Sequence, residues 1–309
     1  MKRIFPPTSD AVGTDNAYLG GTAIATAASI IISGTFIFSK LLTARMPVAV
    51  FTALWFSIAG AMGLIAYLLR HRALPPLPRH VLRPILLLGV LNGISALLFF
   101  QQIAMTDPAI VSFFSRIETV NTVLLGVLIL RERLTVRDML GVALVMGGSL
   151  LVTYASGETV ALVFGLAVIQ TLLHAGSLIA GKVAAPHISA LALSTYRSLI
   201  TALIAAPIAL LSLRAEMDFS AGTWGLLTLG AFLGPFASYV LVYRALRDID
   251  AWLWGVLSGL QPFLVILYGL GLYGTTPTPR QIVGGVIAVI GAIVAVIGPR
   301  TEKSLNQQT

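Results

Sequence analysis

The chain has 309 residues, 57% hydrophobic and 10% charged, against roughly 25% charged in soluble domains, so it reads as a polytopic membrane protein. Its formal charge of +8 is scattered over short loops, without the basic stripe interleaved with aromatics that nucleic-acid binding uses. It has no cysteine, which excludes disulfides, thiolate nucleophiles and thiolate metal sites.

The opening MKRIFPPTSD is basic and then proline-rich. It has no apolar run ending in a cleavage site before Tyr18, so the first span is expected to be retained behind a tail over residues 1–16. A spanning helix needs about 20 mostly apolar residues. Ten segments fit: Ala17–Ser39, Val48–Leu69, Pro84–Ala104, Ala109–Leu130, Asp138–Tyr154, Ala161–Gly181, Ala190–Leu213, Gly222–Leu246, Ala251–Tyr273 and Gln281–Gly298. The fifth and tenth are short and glycine-rich. With the N-terminus inside, fourteen Lys and Arg fall in cytoplasmic segments and four outside, so both termini are expected in the cytoplasm.

Polar groups within the spans mark candidate sites, because a charge at membrane depth costs about 3 kcal/mol on insertion scales. The fourth span carries Arg116 and Glu118, two residues apart and therefore about 200° apart around a helix, so they cannot face each other. Glu118 reads as a proton-coupling or amine-binding carboxylate, or as a hydrogen-bonded packing residue. Arg116 reads as a fork for a substrate carboxylate or phosphate, or as a structural ion pair. His174 with Gln170, Arg197 beside Tyr196, Asn92, Gln101, Gln102, Tyr239, Tyr243 and Gln261 complete the candidates. Trp252 and Trp254 fit an interface belt by default and an aromatic cavity wall if turned inward. Lys40 and Lys182 are expected to cap helix ends, with a gate as the alternative. Asp107-Pro108 is expected to turn the chain, and Asp248 and Asp250 to cap the ninth span. Glu132, in Arg131-Glu132-Arg133, is expected to pair with a neighbouring arginine at the surface.

The two halves repeat at offsets of 141 to 143 residues. Ser33-Gly34 to Lys40 matches Ala175-Gly176 to Lys182, Gly89 and Gly93 match Gly230 and Gly234, and Thr135 and Arg137 match Thr278 and Arg280. Gly141 and Gly148 fall opposite Gly284 and Gly291. Five spans is an odd number, so the halves are expected to enter the membrane from opposite sides, with a site near the midplane where they meet, lined by spans 1, 3, 4, 6, 8 and 9. Interruptions at equivalent depth are expected at Asn92-Gly93 in the third span and Gly234-Pro235 in the eighth. The simpler reading of these glycines is close helix packing.

The pattern resembles the EamA-like family of the drug/metabolite transporter superfamily, over residues 18 to 299. In that family the fourth helix of each repeat carries a Glu/Gln-Pro-Val-like step and ends in Gly-Glu-x-x-Thr. Glu118-Thr119-Val120 and Gln261-Pro262-Phe263 stand at the step; Arg131 to Thr135 and Gly274 to Thr278 stand at the ending. Thr119 replaces the proline, implying a straighter fourth span, and Thr275 replaces the glutamate. The resemblance implies an all-α membrane protein of ten helices in two inverted five-helix repeats, 17–155 and 161–299, with a cytoplasmic tail over 300–309. Gly93, Gly234, Pro235 and Pro262 are the hinge candidates. It implies a bacterial inner-membrane secondary transporter that exports amino acids or related metabolites, or an uptake or exchange carrier for sugars, nucleotide sugars or other solutes. Its partners would be a small solute and the bilayer, with proton coupling and homo-oligomerisation open, and no cofactor is implied. No GxxxxGK[ST], HExxH or GxSxG motif occurs, and the four histidines lack metal-ligand spacing, which argues against ATP drive and against a membrane enzyme.

Overall fold

In the computed structural model the described residues are 11–106, 108–132, 134–152, 158–213, 217–273 and 279–296. Most of both expected tails, Asp107, Arg133 and the Gly274–Thr278 ending lie outside them. All regular structure among them is helical: α1 (Ala11–Thr43), α2 (Val48–His71), α3 (Leu82–Met105), α4 (Pro108–Phe114), α5 (Ile117–Leu125), α6 (Val136–Val152), α7 (Glu158–Ala184), α8 (Ala190–Leu211), α9 (Ala221–Ala231), α10 (Tyr239–Ala245), α11 (Ala251–Ser258), α12 (Gln261–Tyr273) and α13 (Pro279–Val296). Eight helical runs among the described residues are long and apolar enough to cross a membrane. The expected fifth span is the 17-residue helix α6, and the expected tenth falls in α13, which contains the shorter apolar run Ile282–Gly291.

Helix packing follows the repeat. α2 packs on α8, and α6 on α13. α3 lies against α7 and α8 just as the α9–α10 run lies against α1 and α2, and α5 meets α7 as α11 and α12 meet α1. Each pair maps onto its partner when every element is replaced by its counterpart in the other half. Large apolar side chains such as Leu199, Leu203 and Leu211 cover the outside, where a bilayer takes the place of a second layer.

Loop contacts separate two ends. At one, Lys40 Nζ donates to the carbonyls of Ile103 and Thr106, each at 2.9 Å, and Arg45 lies 3.7 Å from Asp218. At the other, Lys182, Glu132 and Asp250 meet, and Tyr196 Oη donates to the Pro75 carbonyl at 2.6 Å. We call these the Lys40 end and the Lys182 end.

The helix interruptions correct the sequence reading. α3 runs unbroken through Asn92 and Gly93, since nothing there removes a backbone donor. The Cβ that Gly93 lacks would lie 2.9 Å from Ile204 Cβ, so this glycine serves close packing. In the eighth span Pro235 does interrupt the ladder, which widens to a π-helical stretch over Phe232–Ser238. Equivalent breaks occur instead in the fourth and ninth spans, at Ser115–Arg116 and Gly259–Leu260. Both are turns tightened by bonds three residues apart, Glu118 N to Ser115 O at 3.1 Å and Leu260 N to Leu257 O at 3.2 Å. The fourth span is therefore not straighter for lacking proline. It also ends in a π-helical stretch, Gly126–Leu130.

The α6–α13 contact depends on one glycine. A Cβ on Gly291 would lie 2.8 Å from Val145 N and 2.9 Å from Gly141 O, backbone atoms that cannot step aside, whereas a Cβ on Gly147 meets nothing within 4 Å. Gly291→Ala is expected to destabilise the purified protein by about 1–3 kcal/mol. Gly147→Ala, which gains helix propensity without a clash, is expected to leave the melting temperature unchanged or raised.

Candidate solute-binding site

A cavity of about 720 Å³, part of it open to solvent, lies where α1, α2, α3, α7 and α8 meet the interrupted fourth, eighth and ninth spans. Its aromatic walls are Phe36, Trp55, Phe56, Phe99, Phe100, Tyr239 and Trp254. On α3 the lining runs from Asn92 to Phe100, toward the Lys40 end. α2 and α8, which the sequence reading left out of the lining, contribute Trp55, Phe56 and Arg197. Trp252 and Trp254 are both buried rather than set in an interface belt.

The polar groups form one connected chain. Glu118 Oε1 lies 2.9 Å from His174 Nδ1, and His174 Nε2 lies 2.9 Å from Tyr239 Oη. The Arg197 guanidinium sits 3.3 Å over the Tyr239 ring and 5.3 Å over Phe56. Its Nε donates to Asn92 Oδ1 at 3.1 Å and its Nη1 to the Pro235 carbonyl at 3.4 Å. Asn92 Nδ2 in turn donates to Thr201 Oγ1 at 2.8 Å. Glu118 and Arg197 thus communicate through His174 and Tyr239 rather than pairing directly. The imidazole therefore stands between a carboxylate and a phenol, each 2.9 Å from one of its ring nitrogens. Gln170 adds a side-chain bond from Nε2 to Ser95 Oγ at 3.1 Å on the same wall.

Arg116 is placed differently. It is buried and stands outside the cavity lining, at the crossing of the two broken spans. Its Nε donates to Ser112 O at 3.1 Å, its Nη1 to the Ser258 carbonyl and its Nη2 to Gln261 Oε1 at 3.0 Å. An unbroken ninth span would satisfy the Ser258 carbonyl from residue 262, but that residue is Pro262 and has no N–H. The Arg116 guanidinium from the other repeat supplies the donor. Thr119 Oγ1, which stands where the family pattern has proline, donates to Gly255 O at 2.9 Å across the same crossing.

Of the other candidates, Gln261 lines the cavity while accepting from Arg116. Gln102 is buried within α3 and donates to its own helix at Leu98 O, 3.1 Å away. The Tyr243 ring fills the space beside Gly181, whose missing Cβ would lie 2.6 Å from it. Gly234 and Pro235 both line the cavity, and Pro262 occupies the first turn of α12. The ring of Tyr239 carries more of the site than its sequence position suggested. Its signal was its place just beyond Pro235, where an interrupted ladder re-aims the next side chains. Among the described residues the Glu132 carboxylate pairs with Lys182, at 3.1 Å, rather than with Arg131; Arg133 lies outside them. The Glu132 carboxylate also accepts from Ala251 N, so it caps α11, where the Asp250 side chain makes no cap bond.

A bundle of apolar helices around a polar, aromatic-walled cavity is the architecture of an integral membrane protein that handles a solute. The family model for the EamA-like transporter family matches residues 19–154 and again 162–297. The chain belongs to this family, with its unit present twice, and is a multi-pass membrane transporter. It is 26% identical over 298 residues to a protein described as the uncharacterized transporter YetK of Bacillus subtilis (strain 168), covering 90% of this chain and 87% of that one. A solved crystal structure of a protein superposes with a TM-score of 0.75 at 20% identity, covering 90% of this chain and 98% of that one, a likeness of fold.

Replacing Arg116 tests the crossing. Arg116→Met leaves the Ser258 carbonyl unsatisfied in a buried site and is expected to destabilise the protein by about 3 kcal/mol, read as a lowered melting temperature in detergent. Gln102→Met, away from the crossing, is expected to cost less than about 1 kcal/mol.

Proposed function

We propose that this protein is a secondary transporter working by alternating access, with ten spans as two inverted five-helix repeats, 17–155 and 161–299, that exports amino acids or related small metabolites across a bacterial inner membrane. The excess of Lys and Arg in loops on the Lys182 side supports a cytoplasmic location for that end and for both termini. The exchange of packing pairs between the halves supports rocking of one repeat against the other around a central site.

One observation carries the reading: the Glu118–His174–Tyr239–Arg197 chain joins the fourth, sixth, eighth and seventh spans on the wall of one cavity. It offers a carboxylate for a solute amine and a guanidinium for a solute carboxylate, between aromatic faces that suit an apolar side chain. It also offers a place for a coupling proton. In this reading Glu118 is the coupling group and its proton exchanges with His174.

The test is uptake into proteoliposomes of a pool of labelled amino acids, with and without an imposed pH gradient, for wild type and Glu118→Gln. Saturable flux that follows the gradient in wild type and falls by about tenfold or more in the variant is expected. Equal, gradient-independent flux in both would reduce Glu118 to a packing role and leave a facilitator. Absence of flux in both folded proteins would sink the amino-acid assignment.

A further inference from the structure

The Lys182 end carries a charge cluster that the cavity does not use. Glu132 follows Arg131, whose φ of 58° turns the chain back at the end of the fourth span. The turn is closed by Glu132 N donating to Gly126 O at 3.1 Å. It delivers the Glu132 carboxylate, 7% exposed, to the first residues of α11: Oε1 accepts from Ala251 N at 2.9 Å and Oε2 from Trp252 N at 3.3 Å. Lys182, at the end of α7, lies 3.1 Å from Glu132 Oε1 and 3.7 Å from Asp250 Oδ1, and donates to Ile249 O at 2.7 Å. Gly126 makes room, since a Cβ there would lie 2.5 Å from Glu132 Oε2. One carboxylate therefore ties together the ends of the fourth, sixth and ninth spans.

The other end is built differently. Lys40, the counterpart of Lys182, donates to the Thr106 carbonyl as Lys182 does to that of Ile249, but pairs with no carboxylate among the described residues. The residue of the second repeat matching Glu132 is Thr275, which cannot carry a charge. Along α5 and into the π-helical stretch that follows it, Glu118, Thr122 and Gly126 come at four-residue spacing: Glu118 lines the cavity, Thr122 is fully buried against Gly255, and Gly126 lies against the Glu132 carboxylate. The seal between the cavity and the Lys182 end is thus the crossing of the fourth and ninth spans, and the charge cluster sits directly beneath it.

We infer that Glu132 and Lys182 are a one-sided gate lock: they hold the Lys182 end shut while the cavity faces the Lys40 end, and they part when the cavity turns over. This rests on the transporter reading.

The absence of cysteine allows a direct test with a single introduced thiol. Thr122→Cys, near-isosteric and sealed, is exposed to a polar methanethiosulfonate in lipid nanodiscs, alone and combined with Glu132→Gln or Lys182→Met. Ser39→Cys, equally buried at the Lys40 end, is the control for general loosening. The lock predicts labelling of Thr122→Cys about tenfold faster in both combinations, with Ser39→Cys unchanged. Unchanged labelling at Thr122 in both combinations would overturn it, as would an equal rise at Ser39. The readout needs no transport. Faster labelling without amino-acid flux would sink the amino-acid assignment and leave the lock, whereas unchanged labelling with normal flux would do the reverse.

Discussion

The structure depends on how the molecule satisfies a break in two helices at membrane depth. An exposed carbonyl in hydrocarbon costs several kcal/mol, so an interrupted span survives only where something replaces the lost donor. Pro262 removes the donor that the Ser258 carbonyl would have had, and Arg116, on the counterpart span, puts its guanidinium there. The same side chain holds Gln261 and its own Ser112 carbonyl, so the desolvated charge is spread over three acceptors. Thr119 adds a second stitch to Gly255. Because Arg116 and Thr119 sit on one repeat and Gly255, Ser258 and Gln261 on the other, the crossing that permits the breaks also joins the two halves.

The cavity uses the freedom this creates. With the fourth span restarting at Ile117, Glu118 emerges in the first turn of α5 and faces α7, where His174 meets it. The π-helical stretch around Pro235 leaves a carbonyl for Arg197 and brings the Tyr239 ring under the guanidinium. Each charged group of the site therefore has a partner on a different helix. Such a network tolerates burial because its members neutralise and hydrogen-bond one another, and it changes when any one helix moves.

The two ends of the molecule differ in the same terms. Both use a lysine at the end of a first-position helix to hold carbonyls of a neighbouring connection. Among the described residues, the Lys182 end adds a carboxylate, Glu132, that pairs with the lysine and caps α11 at once. The sequence difference at this point is Glu132 in the first repeat against Thr275 in the second.

Much of the architecture was legible in the residues alone. Apolar run length marks the spans, and a constant offset between Lys40 and Lys182 or Gly89 and Gly230 marks the duplication. Charged residues in the fourth and seventh spans marked Arg116, Glu118 and Arg197 as unusual, because their cost at depth depends only on local sequence. What each one touches did not follow. Arg116 and Glu118 lie two residues apart, yet one stitches the repeats and the other lines the cavity. The break at Ser115 carries no proline or glycine signal, and α3 stays whole across Asn92-Gly93. Span length is a local property of the chain. The rotation of each helix about its axis, about 100° per residue, and hence the neighbour that each polar side chain meets, is decided only when the helices pack.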